Sequence, residues 1–383
     1  MLQFCVSQQY NNSGFSFRST GITVYTFEEA LYHVFHYWRE SVDELLSEGM
    51  IAWVSELGLS YITARLKEIS REKNFTLRII NFLQVIDYFS DSQLDSLKAS
   101  LKKWEMRLEW EKLKERADYL VNRGEPAKAI ALYKQALKLE ENVTLLNNIG
   151  VAYMQLGENE TALHHLTRGR TIEPQNFDLL LHYTEAAILS GQHKKARQAL
   201  AKADTIAPNC ADVSFLHGLG AYTQKDYVNA LAYYQDAVRI SPNTPYYIYQ
   251  VANVYKTMRQ YQKALEVLDM IEVKDSTYYV KEAEIHSAAG DTPAALRCMR
   301  KVTDSTGDGI VWAKLAEYYR KDYNWQMAEQ AIDRALKLAP ENDLVRLENA
   351  RIKKGLGRIR EYQHELAEVL KGIKEQYRVG LSH

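Results

Sequence analysis

From residue 110 almost to the C-terminus, apolar positions recur in blocks of about 34 residues, each holding two helical periods separated by a short polar break. Aligned on that break, the turn position holds Gly124, Gly157, Gly191, Lys225, Arg259, Gly290, Tyr323 and Gly357. Five residues later stands Ala129, Ala162, Ala196, Ala230, Ala264, Ala295 or Ala328, and only the last block departs, with Tyr362. In the block that starts at Ala211, a first helix is predicted to run to about Thr223, with a turn at Gln224 to Asp226. A second helix then runs to about Ile240, where Pro242 lacks an N–H to continue it. Gly218 and Ala230 fall where the two helices must approach closely, and Tyr234 fills the space one turn beyond Ala230.

The same sockets recur along the chain. The small residue of the first helix is Ala117, Gly150, Thr184, Gly218, Ala252, Ala283, Ala316 and Ala350, while Tyr133, Leu166, Leu200, Tyr234, Leu268, Met299, Ile332 and Leu366 are the large residues facing it. Pro174, Pro208, Pro242 and Pro340 stop second helices, whereas the fifth and sixth blocks lack such a stop and are expected to be joined irregularly near Val273 and Asp304. Small, small, large, small and proline residues at these offsets resemble the tetratricopeptide repeat family over roughly residues 110–370. The resemblance implies an all-α, right-handed α-solenoid of helical hairpins, about eight units, spanning residues 109–378. The charged second helix of the last block, from Arg358 to about Gln376, is expected to cap it, with a loose tail from Val379 to His383.

Residues 1–108 lack the repeat and are read as a separate, mainly helical domain with a short β-hairpin. Strand-like runs at Leu2 to Ser7 and Phe15 to Val24 are punctuated by turn signals at Asn11 to Gly14 and Ser19 to Gly21. Thr26 and Glu29 have the spacing of a capping box. The following helix is expected to bury Leu31, Val34, Phe35, Trp38, Val42 and Leu45. Further helices are expected near 49–57, 59–72, 76–89 and 91–108, the last buried through Leu94, Leu97, Leu101, Trp104 and Leu108.

Composition narrows the class of work. A net charge of −1 offers no basic footprint for nucleic acid or an anionic membrane. Cys5, Cys210 and Cys298 are odd in number and widely spaced, which suits reduced thiols in a cytoplasmic protein. Neither a signal peptide nor an apolar run of bilayer length is read in the sequence, so no membrane insertion is expected. No nucleophile elbow, HExxH or phosphate loop appears, so no enzyme, catalytic residue, cofactor or metal is expected.

Within the resemblance, fixed places of each first helix line a concave groove that takes a protein or peptide partner, and the protein is read as an adaptor or scaffold. In the fourth and fifth units those places hold Asp212, Phe215, Leu216, Leu219, Tyr222, Tyr246, Tyr249, Gln250, Asn253 and Lys256. Rings give area at low entropic cost and amides pair with peptide groups. Replacing Tyr222 and Tyr249 together by alanine is expected to abolish binding with little loss of stability. Some repeat proteins of this kind grip the C-terminal tail of heat-shock chaperones through a dicarboxylate clamp. Lys114 and Asn148 match two clamp places, but Asp118, Asp178 and His182 occupy the other three, so a chaperone tail is not the expected partner. An alternative class is a peptide-sensing regulator whose N-terminal domain is the effector. Weaker candidates are a Glu29, His33, His36 and Glu40 row with metal-ligand spacing, His164-His165, Gly218-Leu-Gly220, and a calcium-like Asp304 to Gly309 loop.

Overall fold

Every one of the eight repeat turns places its key residue in the left-handed region, with φ between 57° and 85°. Five of these are glycine, which adopts that conformation without cost, and three are Lys225, Arg259 and Tyr323, which do not. The residue after each turn donates its N–H to the carbonyl five residues earlier, as in Glu125 to Leu120 and Asn324 to Tyr319, over 2.8–3.0 Å. This bond closes the first helix and aims the chain back along it. The eight aligned positions are therefore eight copies of one hydrogen-bonded turn.

The computed structural model describes residues 14–303, 307–340 and 342–380, with side chains through Leu370. The Leu2 to Ser7 strand, Cys5, the Asn11 to Ser13 part of the turn signal, residues 304–306 of the Asp304 to Gly309 loop and the extreme tail lie outside the described residues or their side chains. The chain forms two compact units, Met1–His182 and Tyr183–His383. The fold class is all-α, an α-solenoid of helical hairpins with one small β-hairpin.

In the first unit, β1 (Phe15–Phe17) pairs antiparallel with β2 (Ile22–Val24). Six helices follow: α1 (Phe27–His36), α2 (Trp38–Ser41), α3 (Glu48–Glu56), α4 (Ser60–Ile69), α5 (Phe75–Leu83) and α6 (Asp91–Glu105). Thr26 and Glu29 form the expected capping box. The long helix expected through Leu45 instead breaks at Tyr37, whose φ and ψ of −125° and 36° are not helical. Leu31, Val34, Trp38 and Leu45 still reach one core with Phe82 and Leu101, because the short α2 and the turn after it preserve the direction of the apolar side chains. Leu108 is 62% exposed rather than buried, since it directly precedes the first helix of the repeats, which starts at Glu109, and belongs to no apolar stripe.

The repeats are α7 (Glu109–Asn122) with α8 (Pro126–Leu139), α9 (Val143–Gln155) with α10 (Asn159–Ile172), and α11 (Phe177–Leu189) with α12 (His193–Ile206). They continue as α13 (Ala211–Thr223) with α14 (Tyr227–Ile240), and α15 (Pro245–Thr257) with α16 (Tyr261–Leu268). The last three pairs are α17 (Ser276–Ala288) with α18 (Thr292–Thr303), α19 (Gly309–Lys321) with α20 (Trp325–Leu338), and α21 (Asp343–Gly355) with α22 (Ile359–Gly380). Proline-stopped second helices have 14 residues, whereas α16 has only 8. Its chain leaves the helix at Asp269, which accepts hydrogen bonds from Lys274 at 2.8 Å and Tyr278 at 3.0 Å.

The hydrophobic core of β1 to α6 ends at Trp104 and contains no residue of the repeats. Polar groups join that core to α7. Glu115 lies 2.7 Å from Arg39 and also pairs with Arg107, Arg116 pairs with Asp43, and Arg123 donates to the Thr20 carbonyl. Lys112 sits over the Trp104 ring at 5.0 Å. Such pairs orient two surfaces more than they stabilise them.

His33 makes this unit acid-sensitive. Its ring is buried, stacks on Phe17 at 4.0 Å, and places Nε2 3.2 Å from the Thr20 hydroxyl. Burial, opposed by Glu44 and aided by Arg123, brings its pKa down to about 4. Burial and then His164 likewise lower His165, stacked on Tyr153, to about 4. The folded state thus binds these protons more weakly than the unfolded chain. Stability is fully present above about pH 6.5 and is lost as pH falls toward 4. Denaturant titrations from pH 7 to 4.5 should show His33 alone contributing a loss of about 2–3 kcal/mol, and His33→Gln should flatten that slope.

Candidate functional site

The first helices of the fourth and fifth repeats carry a continuous row of rings and amides. Phe215 is buried and anchors it, with ring centroids 5.6 Å from Tyr234, 5.1 Å from Tyr246 and 6.1 Å from Tyr247. Tyr246 lies over this anchor and is 48% exposed. Two turns farther, the Tyr222 hydroxyl lies 3.1 Å from Thr257 Oγ1 and accepts from Asn253 Nδ2 at 3.4 Å. Leu219, Gln250 and Asn253 are half-buried. Tyr222 and Asn253 thus connect α13 to α15 through hydroxyl and amide groups that keep contact with solvent.

Charge varies along this row. Asp212 accepts from the Tyr247 hydroxyl at 2.5 Å. Burial, and then Asp212, holds the Glu185 carboxyl above its ordinary pKa, and burial with Glu185 and Asp212 pushes Tyr246 up to about 12. On the C-terminal side, Glu284 collects three lysines: Lys314 at 3.0 Å, Lys256 at 3.3 Å and Lys281 at 3.5 Å. Burial alone would raise the Glu284 pKa, but Lys314, Lys281 and Lys256 outweigh it and hold it low. Three cations around one carboxylate leave that stretch net positive. Sequence reasoning singled out Lys256 but missed Glu284, because its partners lie on α15 and α19, 28 and 30 residues away. The recurring charged place in successive first helices was the only signal for it.

Tyr249 differs from its neighbours in the row. It packs against the core formed by Ile248, Leu268 and Tyr278, and burial followed by Asp275 pushes its phenol up to about 12. Removing its ring would open a gap in that core. Alanine at Tyr249 therefore costs stability, contrary to the sequence-based expectation, and Tyr246 is the better position to vary with Tyr222.

Lys114 and Asn148 do converge, but on a carboxylate of the chain itself. Asp118 accepts from Lys114 Nζ at 2.7 Å, from Tyr133 Oη at 2.6 Å and from Asn148 Nδ2 at 3.0 Å. His182 Nδ1 lies 2.8 Å from Asn147 Oδ1, and Asp178 is exposed. Both groups that match the clamp are thus engaged by Asp118 of α7.

The other candidates have local roles. Glu29 caps α1 by accepting from the Tyr25 and Thr26 amides, His33 packs on Phe17, His36 is exposed and Glu40 is buried. They do not face one point. Burial raises the Glu40 pKa, while Arg39, Arg116 and Arg123 oppose it. Gly218 lies within α13 against the Tyr234 ring, so it builds no phosphate loop. Among the described residues no helix is long and apolar enough to cross a membrane.

Tetratricopeptide repeat descriptions match residues 114–177 and 153–217. The BBSome complex member BBS4 of Bos taurus is 30% identical over 152 residues, covering 38% of this chain and 28% of that protein. The TPR repeat-containing protein MJ1428 of Methanocaldococcus jannaschii is 26% identical over 256 residues, covering 60% of this chain and 44% of that protein. The chain thus spans less than half the length of these curated relatives. A solved tetratricopeptide repeat protein from Parabacteroides merdae superposes with a TM-score of 0.46 at 18% identity, covering 64% of this chain and 98% of that one. Tetratricopeptide repeat proteins generally mediate protein–protein interaction and are typically not enzymes.

Proposed function

Because this chain is a tetratricopeptide repeat protein, we propose that it is a non-enzymatic adaptor holding a peptide or helix of a partner protein along the concave face of its first helices. The observation that carries this reading is the half-exposed row of Leu219, Tyr222, Tyr246, Gln250 and Asn253 on α13 and α15. Solvent-facing rings beside amides suit an extended segment, since the rings supply area and the amides pair with its backbone. Glu185 and Asp212 flank the row with negative charge and the three lysines around Glu284 with positive charge, so a bound segment carries basic and acidic groups in that order along the face. Asp118 between Lys114 and Asn148 disfavours a chaperone's C-terminal carboxylates. Membership of BBS4 in a complex agrees with an assembly role.

Residues 1–108 form a module distinct from the array at 109–378 in this reading, supported by the core that ends at Trp104 and by the polar junction with α7. That module presents a second surface or orients the first one. In this reading the protein acts in the cytoplasm, where widely spaced cysteines such as Cys210 and Cys298 stay reduced.

Tyr222→Ala with Tyr246→Ala tests the reading. Captured from native extract, the double variant should retain less than about one tenth of the partner held by the unaltered protein, equivalent to about 1.4 kcal/mol or more. Its far-ultraviolet circular dichroism should not change. Undiminished capture would place recognition elsewhere on the chain.

A further inference from the structure

We propose that Glu282, His286 and Cys298 form a binding site for one divalent ion of the zinc class, joining α17 to α18. One ligand atom from each of these residues lies within 4.8 Å of the other two. Glu282 and His286 are four residues apart and so share a face of α17, while Cys298 comes from the paired helix α18. The Cys298 thiol is 6% exposed and already donates to Glu282 Oε2 at 3.0 Å. The Tyr278 hydroxyl, which donates to Asp269 at 3.0 Å, stands 3.5 Å from the other Glu282 oxygen, and Asp291 Oδ2 stands 3.8 Å from His286 Nδ1. Glu282 and His286 thus have polar neighbours close by, and Asp291 is placed so that a small rotation lets it accept from one His286 nitrogen while the other faces the ion.

The donor chemistry selects the ion. Sulfur, imidazole nitrogen and carboxylate oxygen suit zinc, whereas calcium and magnesium require oxygen-rich cages. With metal–ligand bonds of about 2.0–2.3 Å, tetrahedral ligand atoms stand about 3.3–3.8 Å apart. The Cys298–Glu282 pair, at 3.0 Å, must open by about 0.5 Å and the widest pair, at up to 4.8 Å, must close by about 1 Å, both within reach of side-chain rotation. On binding, the Cys298 proton passes to solvent, and thiolate and carboxylate together balance the two positive charges. Three protein ligands leave a fourth position for water. The ion would tie together the two helices of the sixth repeat, next to the shortened α16.

Full-length protein stripped with chelator and titrated with Co²⁺ tests this assignment. One equivalent should produce a sulfur-to-cobalt charge-transfer band that Zn²⁺ then removes. Cys298→Ser should abolish the band, Cys210→Ser should retain it, and His286→Gln should weaken the affinity at least about tenfold. Absence of a band, or a band that survives Cys298→Ser, overturns the assignment. Should Cys298→Ser fail to fold, Glu282→Gln decides, since unchanged affinity in that variant also overturns it.

Discussion

Replacing Gly218 by valine should destabilise the second unit by about 3 kcal/mol and lower its melting temperature by about 6–12 °C. A Cβ at Gly218 would stand 2.6 Å from Tyr234 Cδ1 and 2.7 Å from Cε1. The ring has room to shift for a single methyl but not for more, because Tyr234 is fully buried and packs against Phe215. Alanine should be far milder, a net change within about 1 kcal/mol, because helix propensity returns most of what crowding costs. The first repeat supports that limit, since Ala117 occupies the same place opposite a buried Tyr133. Valine adds two methyl groups that find no such room. Equal melting temperatures for glycine and valine would mean that the two helices do not approach closely here.

Glu348→Ala should cost about 2–4 kcal/mol, because it removes a carboxylate that is only 5% exposed. Arg320 on α19 reaches it with Nε at 2.5 Å and Nη2 at 3.3 Å, and Arg351 adds a third bond at 3.2 Å. The two-pronged contact ties neighbouring first helices, and its loss leaves the partly buried Arg320 without its main counter-charge. The upper figure for buried pairs is discounted because Arg320 keeps 23% of its side chain in solvent. Arg320→Met combined with Glu348→Met should recover more than half of the loss, since apolar groups of similar volume need no counter-charge. Chemical denaturation of Arg320→Met, Glu348→Met and the double variant gives this coupling directly.

The sequence registers the repeat because each turn requires one residue in a conformation that most residues avoid, and the small and large packing residues keep fixed offsets from it. Lys225, Arg259 and Tyr323 show the limit of residue identity, since only their register marks them as turns. The break at Tyr37 was hidden for the opposite reason. Leu31, Val34, Trp38 and Leu45 keep reaching the core across it, so the apolar pattern carries no sign of an interruption. Leu108 was misplaced because a helix-preceding leucine and a core leucine look alike in a periodic pattern. At the candidate site, identity and helix face were legible for Tyr222, Tyr246 and Asn253, but the packing of Tyr249 into the core was not. The Glu284 cluster and the group of Glu282, His286 and Cys298 depend on contacts between different helices, which periodicity along one chain does not encode.

Photocrosslinking in the native cell tests the central claim most directly, with a benzophenone side chain placed in the full chain at position 222, at position 233 on α14, or at position 61 on α4. The account predicts partner adducts from position 222 and none above background from 233 or 61. Adducts from 61 or 233 with none from 222 would contradict recognition by the first-helix row and move it to the N-terminal helices or the second-helix surface.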